Sequence, residues 1–226
     1  MKLTYNWLKD FVNIKIPAKA LAEKLTMAGL EVVSLEEKDG DWIFEIEITS
    51  NRPDWLSVIG IAREIAALTD TKLKIKNEKL KIIPNPQSPI PKTALNIRIE
   101  DAKDCPLYTA RIIRDVTVKP SPDWIKKRLE LVGIRPVNNI VDITNYILLE
   151  TGEPLHAFDL DKLSQKQGLE IIVRRAKLGE KITTIDGKTR ELDKNILVIA
   201  DSLKPVAVAG VIGGKDTEVS ESTNNI

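Results

Sequence analysis

A chain of 226 residues is long enough for one large domain or two modest ones, with cores that need no metal or disulfide staple. Its 42% hydrophobic and 30% charged residues exclude a disordered chain, and Lys+Arg 34 against Asp+Glu 33, net +1, exclude a dedicated basic sleeve for nucleic acid. Cys105, the single cysteine, cannot form an internal disulfide and reads as a small buried residue of a reducing compartment; with no long apolar run and no signal-peptide core, no membrane is expected and a cytoplasmic location is.

In chain order, Pro17 to Ala28 places Leu21, Leu25 and Ala28 at helical spacing, with proline at the start and Gly29 as the stop. The Asp39-Gly40 turn leads into a strand in which Trp42, Phe44, Ile46 and Ile48 share one face. After Ser50-Asn51-Arg52-Pro53-Asp54, a second helical pattern runs from Ser57 to Leu68 with Ile61, Ile65 and Leu68 together. Residues 1–80 are therefore expected to form a small α+β domain. Pro84, Pro86, Pro89 and Pro91 mark 81–94 as a proline-rich linker, because proline disfavours helix and withholds donors from a sheet.

Beyond it, 95–226 reads as a larger, mixed and mainly β domain. Leu95 to Glu100 and Tyr108 to Val118 are expected strands, and Ser121-Pro122 is expected to cap a helix to Val132, closed by Gly133. Leu169 to Ala176, the Asp186-Gly187 turn, Ile196 to Ala200 and Pro205 to Val211 continue as strands and turns. The polar stretch from Lys215 ends at Ile226 where another apolar strand is expected, so the domain reads as incomplete at that end.

His156, the single histidine, lies in a turn-forming stretch with Gly152 and Pro154. It is a candidate base, donor or proton carrier, or else simply a solvated loop residue; no partners lie at metal-ligand spacing. Between Gly133 and Tyr146, Arg135, Asn138, Asn139, Asp142, Thr144 and Asn145 alternate with apolar residues. They form either a hydrogen-bond network around a turn or a polar wall for a ligand. Gly210, Gly213 and Gly214 lack the pattern of a phosphate-binding loop and instead permit close backbone approach. Trp7, Leu8 and Phe11 are either core residues or anchors for a partner, as are Trp42, Trp55 and Trp124.

In order, MKLTYNWLKDFV, EKLTMAGLEV, EIEITSNRPDWLSVIGIAREIAAL, GIRPVNNIVDITNYILLETGEPLHAFDLDKL and AVAGVIGGKDTEV resemble the bacterial phenylalanyl-tRNA synthetase beta subunit over nearly the whole chain. The resemblance implies an N-terminal α+β domain followed by most of the B3/B4 editing domain, which hydrolyses tyrosine wrongly attached to tRNA(Phe). It implies pairing with a catalytic alpha subunit as a heterotetramer of two alpha and two beta. ATP and Mg2+ are then used by the complete enzyme on alpha, and none is bound by this chain, which would not activate amino acids alone.

On the same resemblance, His156 is the catalytic candidate for editing. Thr144, Asn145, Arg135 and Asn139 would line the pocket near the ester and the tRNA 3′ end, and Gly210, Gly213 and Gly214 would shape its amino-acid end. A synthetic site for phenylalanine cannot strongly exclude the same ring carrying one hydroxyl, which is why a second, hydrolytic sieve is useful. The sequence departs from the family in lacking the inserted oligonucleotide-binding-fold domain, since only Leu35 to Trp42 separates the matching flanks. It also stops before the family's strand with a pocket glutamate. A freestanding trans-editing deacylase and a non-catalytic subunit-docking module are the alternative expectations.

Overall fold

The computed structural model describes residues 1–74, 95–164 and 168–226, so the linker expected at 81–94 lies outside the described residues. The fold class is α+β, as expected, and the chain forms two compact units. One comprises residues 1–81 and 120–155, the other 82–119 and 156–226.

In the first unit, β1 (Lys2–Thr4), β2 (Val32–Lys38) and β3 (Asp41–Ile46) form an antiparallel sheet of order β1-β3-β2, with Leu3 opposite Phe44. Helices α1 (Tyr5–Phe11), α2 (Ala18–Met27) and α3 (Val58–Leu68) belong to this unit. Thr4 starts α1 by accepting from the Trp7 amide at 3.2 Å, and Ser57 starts α3 by accepting from the Gly60 amide at 2.9 Å, each satisfying a donor that the first turn leaves free. Gly29, at φ 96°, follows α2 in the left-handed conformation that stops a helix. Arg52 organises the turn before α3: its guanidinium lies 3.5 Å from the Trp55 ring centroid and donates to Asp54 and Glu64.

Helices α4 (Asp123–Leu131) and α5 (Asn139–Thr151) complete this unit, although composition places them in the second domain. The reason is apolar burial: Ile125, Leu129, Val132 and Tyr146 join the core built from Leu3, Trp7, Leu8, Leu21, Phe44 and Ile61. A proline-rich stretch marks a break in regular structure but cannot show that the chain later returns. Trp7 is fully buried, stacks on Tyr146 with centroids 4.7 Å apart, and donates from Nε1 to Glu150 at 2.9 Å, so it is a core residue. Trp55 is also buried, whereas Trp124 is exposed.

In the second unit, β4 (Asn96–Ile99), β5 (Glu170–Arg175), β8 (Leu197–Ala200), β9 (Pro205–Val208) and β10 (Ile212–Gly213) form a sheet of order β10-β9-β8-β5-β4. Only β4 and β5 run parallel. Strand alternation buries both faces: Ile171 and Ile199 join one cluster, Ile172 and Val198 another. Strands β6 (Lys181–Thr183) and β7 (Thr189–Glu191) form the hairpin expected around Asp186-Gly187, with Gly187 at φ 77°.

The strand expected from Tyr108 to Val118 does not form. That segment is irregular and pairs with the last residues of the chain: Ile113 and Ile226 exchange backbone hydrogen bonds of 2.8 and 2.9 Å, and the Val116 amide donates to Asn224 at 2.9 Å. Its β-branched residues suit an extended chain, but too few successive bonds form to make a ladder.

Candidate functional site

The site is built around His156, in the second unit. The chain after it is pinned by Asp159, whose amide donates to the Thr217 carbonyl at 2.9 Å. The Asp159 side chain is buried and accepts from Thr223 Oγ1 at 2.6 Å and from the Asp161 amide at 3.1 Å, with Lys162 Nζ 3.2 Å away. Burial alone would push this carboxyl up, but the bonds from Thr223 and Lys162 outweigh it and hold the pKa below the usual range. One buried carboxylate thus ties the histidine segment to the stretch that follows β10.

The consequence is a close contact between His156 and β10. A Cβ added at Gly213 would sit 2.6 Å from His156 Nε2, which only glycine avoids. The imidazole also meets Phe158 edge to face, centroids 4.6 Å apart and planes inclined at 67°. The residue keeps access to solvent, while the crowding of its ring lowers the imidazole pKa by desolvation and favours the neutral form near pH 7. Neutral imidazole offers one donor and one acceptor, the equipment of a proton carrier.

The remaining glycines have separate reasons. Gly210, at φ 69°, turns the chain between β9 and β10, where the Val211 amide returns to the Val208 carbonyl at 3.0 Å. The Gly214 amide donates to Val206 at 2.7 Å, and a Cβ there would lie 2.6 Å from the same carbonyl oxygen. Gly213 is thus the glycine placed against the histidine. A small polar cavity of about 110 Å³, lined by Thr183, Val206, Gly214 and Thr217 among others, does not include His156.

Arg135, Asn139, Thr144 and Asn145 belong to the first unit. Arg135 is exposed, just before α5; the other three are half-buried residues of α5. Thr144 donates its hydroxyl to the Val141 carbonyl at 2.7 Å, one turn earlier on its own helix. The neighbouring polar residues have structural work. Asn138 caps α5 by accepting from the Ile140 and Val141 amides, each at 3.0 Å, and Asp142 is fully buried with both oxygens bonded. Cys105 is half-buried, with Sγ 3.5 Å from the Leu107 carbonyl.

Phe158 is the residue of this site that the sequence did not single out. Its signal was available as an aromatic residue two positions after the single histidine, on the same irregular segment. Among the described residues, no group of three or more His, Cys, Asp and Glu side chains is arranged to hold a metal, and no helix is long and apolar enough to cross a membrane.

Comparison with known proteins adds four findings. A family described as the B3/4 domain matches residues 104–226, a span that includes α4 and α5 of the first unit as well as the histidine and its glycine strand. A phenylalanine–tRNA ligase beta subunit of Carboxydothermus hydrogenoformans is 52% identical over 186 residues, covering 82% of this chain and 22% of that protein. One from Rhodopirellula baltica is 42% identical over 226 residues, covering 100% of this chain and 32% of its own length. This chain therefore spans about a third or less of the relatives it matches. A solved N-terminal fragment of the phenylalanyl-tRNA synthetase beta subunit of Pyrococcus horikoshii aligns over 100% of this chain and 65% of its own, at 17% identity and a TM-score of 0.48.

Proposed function

The chain belongs to the B3/4 domain family, and from that premise we propose that it acts within the beta subunit of a phenylalanine–tRNA ligase and hydrolyses tyrosyl-tRNA(Phe). The names of the relatives support the ligase assignment, and the observation that carries the hydrolytic reading is the seating of the His156 imidazole on Gly213. In this reading His156 donates a hydrogen bond to the ester or carries a proton from the attacking water, and is not itself the nucleophile. Residues Thr144, Asn145, Arg135 and Asn139 serve the tRNA 3′ end, and Gly210, Gly213 and Gly214 the amino-acid end. Partnership is with an alpha subunit, in a tetramer of two alpha and two beta, in the cytoplasm. ATP and Mg2+ are used by the complete enzyme, on the alpha partner.

The test is deacylation of tyrosyl-tRNA(Phe) by the 226-residue chain and by a complete ligase containing it. His156→Ala in the complete ligase is expected to lower the deacylation rate about 100-fold or more, the usual worth of a positioned general acid or base. An unchanged rate overturns the assignment. Activity of the 226-residue chain alone, without alpha, would favour a freestanding deacylase instead.

A further inference from the structure

Between a histidine on an irregular segment and a glycine that has no side chain to offer it, something has to decide which way the imidazole points. The Gly213 backbone forms a floor under the ring and blocks one direction. A floor does not stop rotation. A second contact is the ring of Phe158, two residues on, which meets the imidazole at 67° and is itself held against the cluster that includes Leu160, Ile171 and Ile199. Asp159 holds the same segment through Thr217 and Thr223, so Phe158 is anchored on both its own side chain and the following residue.

We propose that Phe158 is the positioning residue of this site: its ring, fixed in the apolar cluster, clamps the His156 imidazole against Gly213 in a single orientation. Phe158 does its work through His156 and needs no contact with substrate. An edge-to-face aromatic contact has a preferred geometry that an aliphatic side chain of similar size cannot reproduce, so orientation is what a non-aromatic replacement loses. This deepens the hydrolytic reading above and rests on it for its meaning, but the clamp itself is a claim about the conformation of one side chain.

His156 is the single histidine, so its imidazole protons can be followed by NMR in the full 226-residue chain without ambiguity. The wild-type chain should show cross-relaxation from the imidazole to both the Phe158 ring and the Gly213 α-protons, and an imidazole Cε1–H resonance displaced by the Phe158 ring current. In Phe158→Leu those contacts should vanish and the resonance should move to the position of a mobile histidine, while the methyl resonances of Leu160 and Ile171 keep their dispersion. Phe158→Tyr, which keeps the ring, should retain the wild-type pattern. If Phe158→Leu collapses the fold, the Tyr variant and the wild-type cross-relaxation still decide the matter.

In the complete ligase, Phe158→Leu should lower kcat for tyrosyl-tRNA(Phe) deacylation about tenfold or more with KM nearly unchanged, because a misdirected group loses rate and not ground-state binding. An unaltered His156 signal in Phe158→Leu, with its Gly213 contacts intact, overturns the clamp whatever the activity shows. A clamp seen by NMR together with full activity of His156→Ala would retain the clamp and discard the hydrolytic reading.

Discussion

Ser121 donates its hydroxyl to the buried carboxylate of Asp142 at 2.5 Å, across 21 positions of sequence. The other Asp142 oxygen accepts from the Val137 amide at 2.8 Å, so this one side chain joins the entry to α4 with the loop before α5. Asp142→Ala would leave a buried hydroxyl and a backbone amide without an acceptor. At roughly 1–3 kcal/mol for each unsatisfied group, we expect a loss of about 3 kcal/mol, read as a lower urea midpoint. Asp142→Asn keeps an acceptor and should cost less; equal losses for the two variants would contradict this accounting.

Gly213 supports a second expectation. Its neighbour is the far end of a side chain, not backbone, so in Gly213→Ala the imidazole of His156 can swing aside. Stability should fall by no more than about 1 kcal/mol, while deacylation should fall about 100-fold, the cost of misplacing a reacting group by an ångström or so. Made in a His156→Ala background, the same substitution should have no further effect on rate, since the group it displaces is gone. Additive losses of rate in the double variant would show that Gly213 acts on something other than the histidine.

Legibility in the sequence followed how local each determinant is. The α3 start at Ser57 and the hairpin at Asp186-Gly187 depend on a cap and a turn within a few residues, and both were readable. The Asn139–Thr151 helix was not. Gly133, Pro136 and paired asparagines imitate a turn, and Ile140, Val141, Ile143 and Thr144 are poor helix formers whose preferences are overridden by burial of Ile140 and Tyr146. Ser121 looked like a helix cap, but its hydroxyl goes to Asp142, a partner no local spacing could indicate. Of the site, His156 and its glycines stood out by residue type; Phe158 did not, because aromatic residues are so often ordinary core.

Trp7 was readable as either a core residue or a partner anchor, and its full burial decides for the core. Trp7→Ala removes its stack on Tyr146 and its bond to Glu150 as well as apolar volume. Replacing a buried tryptophan by alanine costs roughly 3–5 kcal/mol, so a marked drop in the urea midpoint is expected, and Trp7→Phe should recover part of it. A midpoint unchanged by Trp7→Ala, with weakened binding of an alpha subunit, would return the residue to the anchor role.

Asp159 gives the site a dependence on acid whose direction can be worked out. Its carboxyl is held below the usual range in the folded chain by Thr223 and Lys162, against the opposing effect of burial. A carboxyl depressed on folding contributes stability that is fully present above its unfolded pKa, roughly 3.9 for aspartate, and is lost as pH falls through the lower folded value. The contact of Thr223 with Asp159 should therefore be intact at pH 7 and weaken only below about pH 4. Amide exchange checks this at the Leu160 amide, which donates to the Asn225 carbonyl at 2.9 Å, and the Ile226 amide, which donates to Ile113, also at 2.9 Å. With exchange corrected for its intrinsic pH dependence, protection at both amides should fall in acid. In Asp159→Asn it should be reduced already at pH 7, because the neutral amide cannot pair with Lys162 Nζ as an ion, and should then change little with pH. Acid sensitivity that persists undiminished in Asp159→Asn would place the responsible carboxylate elsewhere in the unit.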